Sequence, residues 1–160
     1  MNAKQAIKMS LDSGDMVGLM YLGDLTDKEM MARPCPGCNH INWQVGHLIT
    51  AERGMVEQVV PGSMPPLPAG FAEKYAKETS TSDDASKFVK KDELISLHKK
   101  IRAATIAALE KVPDSKLDES SGMDFAPTIA HVFALNGGHW LMHAGQWAVV
   151  RRQHGRPPLF

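Results

Sequence analysis

The chain is expected to be all-α, a four-helix bundle with long connecting loops. Four long segments carry apolar residues at three- and four-residue spacing, and no segment shows convincing strand-like alternation. Proline- and glycine-rich breaks separate them. With 160 residues, one domain spanning 1–160 is expected, large enough for a real hydrophobic core. A bundle is the simplest way for four apolar stripes to cover one another.

The first helix is expected from Ala3 to about Tyr21, where Ile7, Leu11, Val17 and Tyr21 recur at near-helical intervals without a proline. Thr26 and Glu29 have capping-box spacing, which predicts a short turn to Met31 before Pro34, Pro36 and Gly37. The second long helix starts near Asn42 and ends at Pro61-Gly62, with Val45, Leu48, Ile49, Glu52, Val56 and Val59 along one stripe. From Pro61 to about Ser86 the chain is rich in proline and then polar, as expected of a disordered stretch or a lid, more mobile than the helices and bordering a cavity mouth. The third helix runs from Asp92 to Val112, its apolar stripe opposed by lysines. The fourth is expected to start with Pro127 in its first turn and to reach about Gln153, with Arg151 and Arg152 at its negative end and Gly155 at its C-cap.

Lysine plus arginine and aspartate plus glutamate number 18 each, giving zero formal net charge. That balance argues against a nucleic-acid or anionic-membrane partner. Residues 1–8 contain no apolar run suited to a signal peptide or a membrane span, so a cytoplasmic setting is expected. Cys35 and Cys38 are too close in sequence to tie distant parts of the fold together and are expected as reduced thiols in a loop.

The chemistry concentrates in the fourth helix. Ile129, Val132, Asn136, His139, His143, Gln146 and Val150 step by three and four along one seam, which is expected to face the core. The middle of that seam is polar, and four buried polar side chains without partners cost on the order of 1–3 kcal/mol each. His139 and His143 stand one helical turn apart, so both imidazoles reach one ion about 2 Å from each nitrogen. Gly137, Gly138 and Gly145 beside them suggest a crowded site or a close helix approach. A third ligand is expected from the second helix, where His47 shares a small, nearly uncharged face with Trp43, Thr50, Ala51 and Gly54. Glu52 falls within the apolar stripe instead; an arginine partner or a hydrogen bond to a metal-ligating side chain would accommodate it. Asn136 and Gln146 are candidates to orient a ligand or substrate.

The remaining histidines read more simply. His98 is expected to pack in the core, His154 to complement the helix dipole, and His40 and His131 carry no partner argument. Trp43, Trp140 and Trp147 read as packing, and Lys87 to Lys91 as a solvated surface. Cys35-x-x-Cys38 with His40 has the form of half a zinc site, but no second cysteine pair completes it.

The segments Asn42-Trp43-Gln44-Val45-Gly46-His47-Leu48 and His139-Trp140-Leu141-Met142-His143-Ala144-Gly145-Gln146, with the tail Arg151 to Leu159, resemble the DinB-like (DinB/YfiT) metalloenzymes. The likeness extends over nearly the whole chain, although the Cys35-Pro36-Gly37-Cys38 loop departs from it and leaves open a redox or metal role of its own. The resemblance implies a four-helix bundle holding a divalent metal on His47, His139 and His143. It further implies a homodimer and, from relatives such as mycothiol-dependent maleylpyruvate isomerase and bacillithiol S-transferases, chemistry on a low-molecular-weight thiol. The expected function is a metal-dependent enzyme of small molecules, by thiol transfer or, as runner-up, hydrolysis. The competing class is a non-catalytic ligand-binding or stress-response bundle. Zinc or nickel is expected first, with iron, manganese and copper also compatible with three imidazoles.

Overall fold

The computed structural model describes residues 1–159. These residues form α1 (Ala3–Gly23), α2 (Ile41–Val59), the short α3 (Phe71–Lys74), α4 (Lys91–Lys111) and α5 (Ile129–Gln153). No strand occurs among the described residues; Ser120 and Thr128 make one isolated bridge. The four long helices form a ring in which α1 packs on α5, α5 on α2, α2 on α4, and α4 on α1. No helix among the described residues is long and apolar enough to cross a membrane.

Local chemistry sets the helix ends. Asn2 and Gln5 cap α1 reciprocally, side chain to backbone at 2.9 Å each way. Thr26 and Glu29 do the same for the turn at Glu29–Met31, as their spacing predicts. At the start of α5 the first helical residue is Ile129, not Pro127. Thr128 is the N-cap, and Pro127 lies outside, where its carbonyl accepts from Ser121. At the other end Gly155 takes φ +71°, and the amides of Gly155 and Arg156 return to the carbonyls of Arg152 and Arg151. That is a Schellman closure, which requires a left-handed residue and so favours glycine.

Trp140, Trp147 and Phe133 of α5, Leu11 and Leu22 of α1, Ile49 of α2 and Ile101 of α4 are fully buried. Each contributes roughly 1.5–3 kcal/mol of burial. The tightest crossing is between α1 and α5. A Cβ on Gly14 would sit 2.6 Å from the Gly137 carbonyl oxygen, and one on Gly137 would strike the backbone of Ser10. Of the three glycines near the histidine pair, Gly137 thus serves close helix approach, toward α1. Gly138 and Gly145 are exposed with open space around them.

The 61–86 connection contains α3 and 3-10 turns at Lys77–Thr79 and Ala85–Lys87. It inserts Phe71 and Tyr75 into the core. The Tyr75 ring lies over Gly46, and its hydroxyl donates to Asn42 Oδ1 (3.1 Å) and accepts from the Val89 amide (3.0 Å). Burial pushes the Tyr75 phenol up to about 12, keeping it a donor at physiological pH. The run from Lys87 to Lys91 is less solvated than its charges suggest, since Phe88 is buried and Lys91 Nζ caps the carbonyls of Gly23 and Leu25.

Cys35 and Cys38 are joined by a disulfide, which corrects their expectation as reduced thiols. A tight turn explains it. The Cys38 amide donates to the Cys35 carbonyl (3.0 Å), which holds the two Cα atoms 5.4 Å apart, within disulfide range.

Candidate metal centre

The buried stripe of α5 runs through Val132, Phe133, Asn136, Gly137, Trp140, Ala144 and Trp147. The two indoles are the largest apolar groups on the helix and take the centre of the core. His139 is therefore turned about 100° and His143 about 60° from Trp140, toward the flank where α2 lies, and not into the middle of the bundle as the seam predicts. Across that flank α2 presents His47.

The structure brings the three imidazoles together. One ring nitrogen from each of His47, His139 and His143 lies within 4.8 Å of the other two. Ring centroids are 5.0 Å apart for His139–His143, 5.5 Å for His47–His139 and 6.2 Å for His47–His143. An ion held at about 2.0–2.1 Å by three imidazoles draws their nitrogens to about 3.3 Å, a closure that ring rotation can supply. Burial lowers all three pKa values, to about 4 for His139 and His143, with each neighbouring imidazole opposing protonation of the two on α5. The cluster is neutral at pH 7 and offers lone pairs, as metal ligation needs.

Gln44 fixes one of those lone pairs. Its side chain lies 2.8 Å from Trp147 Nε1, which can only donate, and 2.6 Å from the Asn39 carbonyl, which can only accept. The amide oxygen therefore faces Trp147 and the nitrogen faces Asn39. The same oxygen is 3.0 Å from His143 Nδ1, so that nitrogen carries the proton and Nε2 keeps its lone pair. Gln146 accepts from Gln44 Nε2 at 3.0 Å, which makes it a positioning residue one step removed from His143. Sequence reasoning missed Gln44 as a positioning residue. The only signal in the sequence was a glutamine three residues before His47, one helical turn away on a neighbouring face.

Trp43 stacks flat on His47, centroids 5.1 Å apart and planes 6° from parallel. Its indole nitrogen donates to Thr79 Oγ1 (3.0 Å) and the Ala76 carbonyl, so the long connection steadies that ring. Beside the histidines is a cavity of about 410 Å³, walled by Ala51 and Met55 of α2, Leu135 and Met142 of α5, and Phe125 of the 112–128 loop. Phe125 is thus part of its lining, and no residue of the 61–86 connection is among the described lining residues. Asn136 does not line it; that side chain is buried and donates to its own helix at the Val132 carbonyl.

The other polar residues lie elsewhere. Glu52 pairs with Arg102 at 2.9 Å, the arginine alternative of the two expected for it. Arg102 also meets Asp15 (3.3 Å), and Asp15 meets His98 (3.0 Å), whose buried ring lies against Trp140. His98 is a core histidine, as expected. His40 is the N-cap of α2, accepting from the Trp43 amide (3.0 Å) with its ring edge-on to Phe88.

A crystal structure of a conserved protein from Enterococcus faecalis superposes with a TM-score of 0.71 at 16% identity, covering 98% of this chain and 99% of that one. At that identity the likeness shows the fold. A search of curated proteins finds no match. Residues 14–147, which include all three histidines and Gln44, match the model of the DinB superfamily, and the chain belongs to that superfamily.

Proposed function

We propose that the chain is a divalent-metal-dependent enzyme of small molecules, with His47, His139 and His143 as the metal ligands. The observation that carries this reading is the convergence of three neutral imidazoles from two helices, one of them locked by Gln44 with Nε2 free. When bound, a divalent ion supplies Lewis acidity that strips the proton from a thiol or a water at neutral pH. The chain's own groups hold the geometry: Gln44 and Gln146 orient His143, Trp43 backs His47, and the apolar wall beside the rings limits water. Thiol transfer is the favoured reaction on the resemblance to thiol-dependent relatives, since a bound ion activates a thiol and a water alike.

The same proposal places the chain in the cytoplasm as a homodimer. Met9, Met16 and Met20 form an exposed apolar stripe on the face of α1 opposite its buried side, of a kind that a second copy could cover. A monomeric mass at micromolar concentration would remove the dimer.

The test is elemental analysis of protein purified without chelator or affinity tag, followed by turnover assays with added zinc or nickel. Turnover of electrophiles only with a thiol present supports the transferase. Ester or amide cleavage without thiol moves the reading to a hydrolase, and tight ligand binding without turnover to a binding module. Absence of stoichiometric metal overturns the metal centre.

A further inference from the structure

The wall of the cavity beside the histidines has a chemistry of its own. Ala51, Met55, Leu135, Met142 and Phe125 carry no charge and no hydrogen-bonding side chain, so among the described residues the two imidazoles at its edge are its only polar side chains. A larger cavity, about 600 Å³, is lined by Asp24, Asp27, Lys90, Lys91, Asp92 and Glu93 and lies away from the histidines. Charged clefts are thus available on this molecule, and the one at the histidines is not among them. Phe125 is 70% exposed and Met142 59% exposed, so two large apolar side chains stand at the rim with little protein over them. Unbranched Met55 and Met142 adapt to varied shapes. A volume of about 410 Å³ suits a small organic ligand.

We infer that this cavity is the binding site for a neutral, apolar-bodied small molecule that presents one donor atom to the histidine cluster. The inference rests on the metal-centre reading for its donor end and on the cavity alone for its body. A carboxylate or ammonium on that body would lose hydration against Leu135 and Met55 with no counter-charge to replace it. The recognised molecules are then alkyl or aryl compounds, with charged metabolites excluded by the wall and not by the imidazoles.

The experiment uses straight-chain alkanethiols from propanethiol to hexanethiol, with 6-mercaptohexanoate as the charged counterpart. In cobalt-substituted protein, binding is read from the visible spectrum. In metal-free protein it is read from the ¹³C-methyl signals of Met55 and Met142. Affinity is expected to rise about two- to fourfold per methylene, the gain from burying one CH₂. 6-Mercaptohexanoate is expected to bind at least about tenfold more weakly than hexanethiol, since its buried carboxylate has no partner. Met142→Arg, which supplies the missing counter-charge, is expected to reverse that preference. Cobalt binding with a flat chain-length series overturns this inference and leaves the metal reading standing. No cobalt binding, with the series still graded in the methyl signals, overturns the metal reading and keeps the inference. A flat series in both forms, or a Met142→Arg variant that still prefers hexanethiol, overturns the inference.

Discussion

Two groups of polar side chains lie in this bundle, and they differ in whether opposite charges meet within them. In the interior, Glu52, Arg102, Asp15 and His98 form a linked set in which each carboxylate faces a cation or a ring N–H. On the α2–α5 flank, His47, His139 and His143 face one another, and imidazoles without added protons or ions gain nothing from that. Among the described residues only His143 of the three has a protein hydrogen-bond partner, and that bond leaves its second nitrogen available. Opposed charges serve to hold a fold, even with Glu52 Oε1 and His98 Nδ1 left without a hydrogen-bond partner, while a set of lone pairs with no opposing charge is suited to take up something from outside. Both contain histidine on a helix; the partners, not the residue type, separate them.

The largest effect expected from this contrast is on stability. Arg102→Ala leaves Glu52 buried without its cation and should cost about 3–5 kcal/mol in chemical denaturation. Metal stoichiometry should not change. Metal loss in this variant, under conditions where it remains folded, would join the two groups into one site and break the comparison.

His139→Ala should do the opposite. Metal affinity should fall more than about 100-fold, beyond the range seen for residues that only orient ligands. Metal-free stability should move by less than about 1 kcal/mol, because the ring is only half-buried and the apolar stripes remain. Competition with a chelator and thermal melts of the stripped protein measure the two quantities. Full metal retention in both His139→Ala and His143→Ala would remove the site.

His40 supplies a third kind of histidine, buried and neutral as a cap. Burial, with Arg33 nearby, lowers its pKa to about 4, so the unfolded chain takes up the proton first as pH falls below 6.5. Its contribution to stability should decline between pH 6.5 and about 4, by on the order of 3 kcal/mol, and stay flat below. His40→Asn keeps a capping side chain and should flatten that part of the stability–pH curve relative to the parent. Parallel curves would show that His40 does not titrate with folding.

The smallest effect is the finest test. Gln44→Met preserves the shape of the side chain but removes the acceptor that fixes His143, and should weaken metal binding about 10- to 100-fold without abolishing it. An unchanged affinity would mean that His143 finds its orientation without Gln44.

The bundle and the three histidines were legible because both are periodic. A helix puts residues three and four apart on one face, so stripes and the His139–His143 pair appear as spacing, and helix limits came within two or three residues. What spacing cannot rank is competition between faces: the polar seam and the Trp140–Trp147 stripe both repeat helically, and only volume decides which reaches the centre. Gln44 escaped because its role depends on Trp147 and Asn39, which meet it only in three dimensions. The cysteine pair was misread because sequence separation measures loop closure, whereas a four-residue turn brings two sulfurs together with no long loop at all.

The contact of Gly14 with Gly137 joins segments 123 positions apart, and α1 has its broadest packing on α5. During synthesis α1 is made before the last helix, and Gly14 and Gly18 meet Gly137, Trp140 and Trp147 only once that helix has followed. Such long-range pairing is slow for an all-helical chain, since the loop must close before its contacts reward it. His47 likewise meets His139 and His143 only when α5 docks. If the three imidazoles hold an ion as proposed, metal supplied to a nascent or refolding chain cannot guide the early steps; it would trap only the molecules in which the final helix has already come home.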